Sequence, residues 1–420
     1  MEVKRSRVVE GTEAKTVIIA ASMGMSLAVV ACLVGLGALG LEVQYRRRPG
    51  NDLVITRGDW NLEIYELQHY RLSGELELYN QTRSLEIMVP EVRASVTLLS
   101  DASLDGIAHR VQVTPHHPDA VARPDGYWFG YIVKVRKKTS FEVCVDIQGI
   151  DLSGLQAAWI QIHYITYGPQ GRIPKSRHEI VPLKFPGAEQ PKRWRPVSHG
   201  DVLPIYTHLL TPLDNPVEIV RRYVAPHSQL GDVVTLAETP VAIMQGRLRH
   251  PSEVHPGWIA QRLCYFFLPT SSLATACGLQ ALIDIVGPVR VVAAFVAGAI
   301  AKVFGRRGVF YQLAGAQARL IDDVTGTLPP YDQFIVLGPE NPQQVVDQIQ
   351  AETGLAAAIV DVNDLKAVKV LAASRNVSVA FLGQALRSNP AGNADEQTPI
   401  VLIRPTEPVP SRPYAKAREA

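Results

Sequence analysis

Cysteine is scarce in this sequence, and its few cysteines are not placed as metal or redox sites usually require. The four are Cys32, Cys144, Cys264 and Cys277. None forms a C-x-x-C pair, so the common zinc and thiol-redox motifs are excluded. Cys32 lies in an apolar N-terminal segment, and we expect the other three to be small buried hydrophobic residues. No disulfide framework is indicated.

An excess of one charge is also missing. Lys and Arg number 42 against 40 Asp and Glu, which leaves a formal net charge of +2. This balance argues against an electrostatic nucleic-acid binder. The sequence further lacks the GxxxxGK[ST] phosphate loop, the nucleophile elbow, the HExxH motif and the Rossmann glycine fingerprint. At 420 residues the chain exceeds what one core usually holds, which predicts two or three domains.

A long uncharged run is present near the N-terminus. Residues 16–41 carry no charged side chain and follow a basic flank, residues 1–15. About 20 apolar residues cross a bilayer, so the run predicts a single-pass transmembrane helix and a membrane location. A cleaved signal peptide is the alternative, but its apolar region is shorter and ends at small residues, whereas Arg46, Arg47 and Arg48 follow here. Cations flank both ends, so the positive-inside rule leaves the orientation open.

A second apolar run covers residues 285–304. Arg290 and Lys302 interrupt it, and Pro288 lies near its start. We therefore predict a buried or membrane-apposed helix rather than a second span.

Residues 50–186 alternate between apolar and polar side chains with the period of β-strands, for example in the segments that begin at Leu62, Gly74 and Trp159. Turn-rich pieces separate these segments, which predicts an antiparallel, immunoglobulin-like β-sandwich. His116 and His117 could bind a metal, but an adjacent pair between prolines is more typical of an exposed turn. We interpret the domain as a packing module or as a docking module for a protein partner.

A polar, basic, proline-containing stretch, residues 187–199, is predicted to be a linker. In residues 200–404, strands over 233–237 and 357–362 alternate with helical patterns such as 342–352, which indicates an α/β or α+β domain. Residues 405–420 are charged and proline-rich and are predicted to be a disordered tail. As a whole the sequence predicts an α+β protein: a transmembrane helix, an antiparallel β-sandwich and a C-terminal mixed α/β domain.

The most suggestive chemistry lies where an apolar strand ends. Asp361 and Asp364 follow the run Ala356–Val360, at the end of a strand where open α/β sheets present ligands. Their oxygens suit Mg²⁺ or Mn²⁺, which can hold phosphate. Equally, the two aspartates could form a turn or a helix cap. Arg306 and Arg307 could bind phosphate or carboxylate, or could form an ordinary basic turn.

Several motifs together resemble the coenzyme F(420)-0:L-glutamate ligase (γ-glutamyl ligase) family, in a divergent bacterial, membrane-anchored branch. The resemblance covers residues 202–404. It is carried by Gly231-Asp232-Val233-Val234, Gln245-Gly246-Arg247, Gly305-Arg306-Arg307-Gly308-Val309-Phe310-Tyr311, Ala314-Gly315, Ile321-Asp322, Leu328-Pro329-Pro330-Tyr331, Leu337-Gly338-Pro339, Val360-Asp361-Val362-Asn363-Asp364-Leu365, Asn389-Pro390 and Glu396-Gln397-Thr398-Pro399.

The resemblance implies a GTP-dependent amide ligase that uses Mg²⁺ or Mn²⁺. Carried over by motif, Asp322 and Asp361 are the metal aspartates, Gln397 approaches the metal and the phosphates, and Asp364 with Asn363 lies in the matching loop. Gly246 and Arg247 would line the nucleotide cleft, and the small-molecule substrate would be a carboxylate. The resemblance further implies a homodimer and a body that faces the cytoplasm, where GTP is available.

Two departures from the family pattern leave a second hypothesis open. Ile321-Asp322-Asp323-Val324-Thr325 stands where the family has an aspartate followed closely by Ser-Asn. The region between Arg247 and Gly305 contains apolar helical patterns instead of the expected substrate contacts. The alternative is a non-catalytic membrane-anchored assembly or scaffold protein that reuses the ligase fold, because fold does not fix function.

Overall fold

The computed structural model describes residues 29–45, 50–187, 193–323, 328–362, 367–392 and 396–406, without the side chains of residues 322 and 323. The predicted N-terminal flank and most of the predicted tail lie outside these ranges. So does Asp364.

The first domain consists of two antiparallel sheets. One sheet has the order β1-β3-β7-β5, with β2 on β3, and the other has the order β6-β4-β8-β9. The strands are β1 Leu53–Ile55, β2 Asp59–Glu66, β3 His69–Asn80, β4 Ile87–Ser100, β5 Ala108–His116, β6 Tyr131–Val133, β7 Lys138–Gln148, β8 Leu155–Gly168 and β9 Gly171–Pro182.

Alternating apolar side chains hold the two sheets together. Leu72, Leu76 and Phe141 of the first sheet are fully buried in one cluster with Ile160 and Ile162 of the second. This two-sided burial is the arrangement that the period-two pattern predicted. The β-sandwich prediction is therefore confirmed.

His117 differs from the exposed turn that the sequence suggested. Its ring is buried, stacks on Tyr131 with centroids 3.9 Å apart, and lies 2.8 Å through Nδ1 from the Thr139 hydroxyl. The adjacent prolines gave no signal for these contacts, which come from strands distant in sequence. Burial lowers the pKa of His117, so the ring favours the neutral state.

The second domain contains the remaining strands and eight of the described helices. The strands are β10 Arg195–Val197, β11 Gly200–Ile205, β12 Val233–Ala237, β13 Leu248–Arg249, β14 Asp322–Asp323, β15 Ile335–Val336, β16 Ala356–Val362, β17 Val368–Ala373 and β18 Ile400–Pro405. The helices are α2 Pro216–Ile219, α3 Glu238–Met244, α4 Trp258–Leu263, α5 Ala276–Val286, α6 Pro288–Val303, α7 Val309–Ala314, α8 Pro342–Thr353 and α9 Val379–Ala385.

A six-stranded mixed sheet of order β10-β11-β18-β12-β16-β17 forms the centre of this domain. Within it, β12 and β16 are parallel and the other pairs are antiparallel. Both faces are covered: Val234 and Ile359 pack towards α2 and α8, whereas Val233 and Ala358 pack towards α9. The predicted strands 233–237 and 357–362 and the predicted helix 342–352 are confirmed within one residue.

A small second sheet, of order β13-β15-β14, packs against helices α4 to α7. Ile335 and Leu337 are buried in one cluster with residues of α4 to α7. The region between Arg247 and Gly305 is therefore helical, as its apolar pattern predicted.

Part of the predicted linker belongs to the central sheet. Within residues 187–199, β10 pairs with β11, and the Trp194 ring lies 4.3 Å from the Arg404 guanidinium carbon. The sequence pattern missed this short strand because Pro196 lies inside it, and proline is tolerated only at an edge position such as this one.

Helix α1, Val29–Tyr45, contains the described part of the predicted transmembrane helix. Among the described residues, no single helix combines the length and hydropathy that a membrane span needs. Helices α5 and α6 meet that criterion only as a pair, and they are bent by 114°. Because residues 16–28 of the predicted span lie outside the described ranges, the span stays a prediction.

Candidate functional site

Polar residues lie at one edge of the central sheet, where β12 and β16 end and β18 begins. Ala237, the last residue of β12, pairs in parallel with Val360, so Glu238 and Asp361 both lie at the carboxyl ends of their strands. Strand β18 runs the other way and starts at this edge, where the amide of Ala237 donates to the carbonyl of Pro399 at 2.9 Å. Gln397 precedes Pro399, so it shares the edge with Asp361.

The separation of these groups follows from the strand order. Strand β12 lies between β16 and β18, and neighbouring strands are about 4.8 Å apart. The backbones of Asp361 and of the segment before β18 are therefore about 10 Å apart. Both side chains are half-buried.

Strand β11 fixes the position of Gln397 from the other side. Ile205, at the end of β11, pairs with Ile400, and the amide of Thr207 donates to the carbonyl of Gln397 at 3.1 Å. Gln397 has a φ of 49°, in the left-handed region that residues other than glycine rarely adopt. Such a conformation at a sheet edge is characteristic of functional sites.

A buried polar network supports the end of β11. His208 is almost fully buried, with Nδ1 2.7 Å from the Tyr223 hydroxyl and Nε2 2.9 Å from the Asp214 carboxylate. The second carboxylate oxygen of Asp214 accepts from the amide of Thr211 at 2.7 Å. These hydrogen bonds hold the backbone from Thr207 to Asp214 in one conformation. This segment lies next to the sheet edge where β12 and β16 end. No sequence motif indicated this network, because its members become partners only in the fold.

The three predicted aspartates differ in their positions. Asp361 lies near the end of β16, opposite the exposed Lys369 of β17. Asp322 belongs to the other sheet, on β14 opposite Val336, and its side chain is not among the described ones. Asp364 lies outside the described residues. The metal assignments to these residues stay predictions.

Gly246 and Arg247 lie at the boundary between the two domains. Gly246 has a φ of 69°, and a side chain there would collide with the guanidinium of Arg57 from the first domain. Arg247 donates through Nε to the carbonyl of Gly338 at 2.6 Å and pairs with Glu340 at 3.2 Å. In this structure Arg247 therefore connects residues 338–340 to the segment that follows α3. The predicted role of Gly246 and Arg247 at the nucleotide is untested.

Arg306 and Arg307 follow α6, and both are exposed. The described residues include no contact that joins either arginine to Asp361, Gln397 or Arg247. The basic-turn interpretation agrees with this placement. A role in binding phosphate stays a prediction.

The donor chemistry at the edge suits a hard divalent cation. Asp361 contributes a carboxylate and Gln397 an amide, which are oxygen donors of the kind that Mg²⁺ and Mn²⁺ prefer. Among the side chains that the structure describes, no group of three His, Cys, Asp or Glu residues could hold a metal. A complete ligand set would need Asp322 or Asp364 in addition.

A second polar cluster, which the sequence did not indicate, joins the two domains. The rings of His178, from β9, and His250 stack with centroids 4.2 Å apart, and Trp159 donates to Nδ1 of His178 at 3.2 Å. Burial lowers the pKa of His178 to about 3, with a further contribution from His250. Burial raises the pKa of Glu253, whose carboxylate lies 3.9 Å from His178, to about 7.

The two domains also share an apolar cluster. Trp159 and Ile180 of the β-sandwich are buried together with Ala242, Phe334 and Val336 of the second domain. The guanidinium of Arg57 adds a hydrogen bond of 2.6 Å to the carbonyl of Pro212. These contacts connect the β-sandwich to the end of α3 and thus to the neighbourhood of the sheet edge.

Comparison with solved structures gives weak likenesses. The yeast GGA1 GAE domain is 14% identical, with 32% of this chain and 96% of that chain covered and a TM-score of 0.20. The CupB6 tip adhesin from Pseudomonas aeruginosa is 12% identical, with 36% and 58% covered and a TM-score of 0.21. Among curated proteins, none matches this chain.

Comparison with protein families gives a match in the first domain. Residues 54–185 match the family described as F420-0:gamma-glutamyl ligase, N-terminal Ig-like domain. The matched range coincides with the β-sandwich of β1 to β9, and it agrees with the immunoglobulin-like fold expected from the strand pattern. The first domain of this chain is thus of the Ig-like type found at the N-terminus of F420-0:gamma-glutamyl ligase, which supports a relationship to that ligase family.

Proposed function

We propose that this protein is a carboxylate-amine ligase of the γ-glutamyl type that uses GTP and Mg²⁺ or Mn²⁺ and is tethered to a membrane. The observation that carries the proposal is the match of residues 54–185 to the Ig-like domain of F420-0:gamma-glutamyl ligase. The motifs in residues 202–404, which resemble the same family, support it independently. GTP use places the body on the cytoplasmic side of the membrane.

The proposed reaction has two balanced steps. The γ-phosphoryl group of GTP passes to a substrate carboxylate oxygen, which yields an acyl phosphate and GDP. The amine of L-glutamate then attacks the acyl carbon, the carbon–oxygen bond to phosphate breaks, and one proton leaves the nitrogen. The products are an amide and inorganic phosphate.

The sheet edge provides groups for this chemistry. Asp361 and Gln397 would hold the cation, with Asp322 and Asp364 as further ligands. The cation would neutralise phosphate charge. Gly246 and Arg247 are the proposed nucleotide contacts, whereas Arg306 and Arg307 are exposed after α6 and are left out of the proposed site. The buried network around His208 would keep the edge rigid, which favours a preorganised site.

Calorimetry on the full chain tests the proposal. GTP titrated in the presence of Mn²⁺ should release heat with wild type, and Asp361→Asn should abolish the binding. Asp146→Asn is a matched control, since Asp146 is a half-buried strand aspartate in the β-sandwich, and it should bind as wild type does. Absence of nucleotide binding by a folded wild-type chain would refute the proposal.

A non-catalytic scaffold is the second candidate. One observation favours it: the Arg247 donors are used within the protein, on Gly338 and Glu340. In that case the β-sandwich would dock a protein partner. A native complex that survives the double change Asp322→Ala and Asp361→Ala, with no nucleotide binding by wild type, would support the scaffold.

A further inference from the structure

Helix α6 presents an apolar stripe to the outside of the protein. Val289, Val292, Val296, Ile300 and Val303 follow one another at spacings of three or four residues, so they lie on one face of the helix. All five are exposed, and Val289 and Val303 retain 82% and 84% of their accessible surface. Contiguous exposed apolar surface of this kind marks an interaction site.

The opposite face of α6 is fixed to the domain. Val291 and Ala294 are buried in the helical cluster, and Gly298 lies directly against the backbone of Phe310 in α7. The helix therefore cannot rotate to bury its stripe without losing these contacts. The stripe is a permanent feature of the surface.

One exposed aromatic residue contacts helix α6, and two more lie near it in the chain. The ring of Phe266 contacts Phe295 of α6 with centroids 5.3 Å apart, and Phe266 retains 69% of its surface. Tyr265 and Trp258, in the same helical segment, are 83% and 72% exposed. We call the α6 stripe together with these three aromatic residues the apolar face. Trp and Tyr are the side chains that concentrate at membrane-water interfaces.

The stretch of sequence that forms the apolar face carries more cations than anions. Between residues 254 and 321 the sequence contains one acidic residue, Asp284, and it pairs with Arg249 at 2.6 Å. The same stretch has six cations, all exposed: Arg262, Arg290, Lys302, Arg306, Arg307 and Arg319. No described carboxylate pairs with Lys302, Arg306 or Arg307, which lie at the end of the stripe.

We propose that the apolar face docks onto the surface of a bilayer that contains anionic phospholipids. A bilayer offers an apolar layer for the stripe and phosphate groups for the surrounding cations. The bend of 114° between α5 and α6 suits a helix that lies along the surface rather than crossing it. A two-fold contact between two copies would instead bring two cationic rims together without acidic partners.

Fluorescence quenching in vesicles tests the docking with the full chain. Cys32→Ser and Cys277→Ser remove the two native cysteines that are not buried, and Val296→Cys then carries an environment-sensitive dye. In vesicles of phosphatidylcholine with phosphatidylglycerol, doxyl-labelled lipid should quench this dye. Val121→Cys, 92% exposed on the β-sandwich, is the matched control and should not be quenched.

Charge reversal tests the anionic component. Lys302→Glu, Arg306→Glu and Arg307→Glu should each weaken lipid partitioning of the face by about fivefold or more, and high salt should act in the same direction. Quenching that is absent at position 296, or that is equal without phosphatidylglycerol, would overturn the proposal. A second result would also overturn the proposal: a change in the emission wavelength of the dye that increases with protein concentration, without quenching by doxyl-labelled lipid. That result would assign the apolar face to contact with a second copy of this chain.

Discussion

The amide of Thr207 donates a hydrogen bond to the carbonyl of Gln397 at 3.1 Å. The two residues are far apart in sequence, and this bond brings the end of β11 to the segment before β18. It holds Gln397 at the edge where β12 and β16 end, which is the edge that also carries Asp361. The candidate site depends on this contact between strands rather than on any one motif.

Replacement of Gln397 by glycine should separate binding from stability. The change removes the amide but relaxes the left-handed backbone, which has a φ of 49°. We expect GTP affinity in the presence of Mn²⁺ to fall by about tenfold, the cost of one hydrogen bond to a charged group. Calorimetry measures the affinity. Arg136→Gly, at a φ of 58° in the β-sandwich, is the matched control, and an equal loss there would contradict the assignment.

Replacement of Gly246 by alanine should destabilise the protein more than an ordinary glycine change at a helix end. The left-handed φ of 69° costs about 1 kcal/mol for alanine. The added Cβ must also displace the Arg57 guanidinium, which would then lose its hydrogen bond to the carbonyl of Pro212. We expect a total loss of about 2 to 3 kcal/mol in the free energy of unfolding, measured by urea denaturation.

Gly354→Ala is the control for this prediction. Gly354 ends α8 with a φ of 75°, and no atom lies within 4 Å of the position that a Cβ would take. This variant should therefore show the backbone cost alone. Equal losses in the two variants would mean that the contact between Arg57 and Gly246 contributes nothing.

Replacement of Glu253 by glutamine should change how stability depends on pH. Folding raises the pKa of Glu253 from 4.5 to about 7, so its contribution is present below pH 4.5 and is lost as the pH rises through 7. Relative to wild type, E253Q should become more stable by about 2 kcal/mol between these pH values, a figure reduced because a quarter of the side chain is exposed.

His178→Gln provides the test of opposite sign. Folding lowers the pKa of His178 from 6.5 to about 3, so its contribution is present above pH 6.5 and is lost as the pH falls towards 3. Relative to wild type, H178Q should therefore gain stability on acidification. Urea denaturation at a series of pH values measures both differences, and parallel curves for variant and wild type would contradict these pKa values.

Replacement of Tyr223 by phenylalanine should destabilise the second domain. The change leaves Nδ1 of the buried His208 without its partner at 2.7 Å, which costs about 1 to 3 kcal/mol. Tyr127→Phe, which removes an exposed hydroxyl on the β-sandwich, should change the free energy of unfolding by less than about 0.5 kcal/mol. Similar urea midpoints for the two variants would show that the network contributes little.

Local patterns predicted the regular elements well. The period-two alternation predicted the β-sandwich, and the run Ala356–Val360 predicted the buried strand that places Asp361 at a sheet edge. Cys144 and Cys264 are buried, as expected, whereas Cys277, which was also expected to be buried, is only half-buried. Each of these outcomes depends on side-chain chemistry within a short segment, which the sequence records directly.

Contacts between distant segments could not be predicted in the same way. His117 was expected in an exposed turn but stacks on Tyr131, and β10 was expected to be linker. The pairs His178 with Glu253 and His208 with Tyr223 carried no signal at all. The sequence does not show whether a histidine side chain is exposed to solvent or buried in a core. Its burial depends on which residues surround it in the folded protein.

The sequence by itself therefore determined the division into a β half and a mixed half, the main strands and helices, and the aspartate at the end of β16. Only the tertiary structure decided that Gln397 lies on the same edge as Asp361, that Arg57 covers Gly246, and that α6 exposes its apolar stripe. The physical reason is that amphipathic periodicity is local, whereas strand order and helix packing arise from burial shared by segments far apart in the chain.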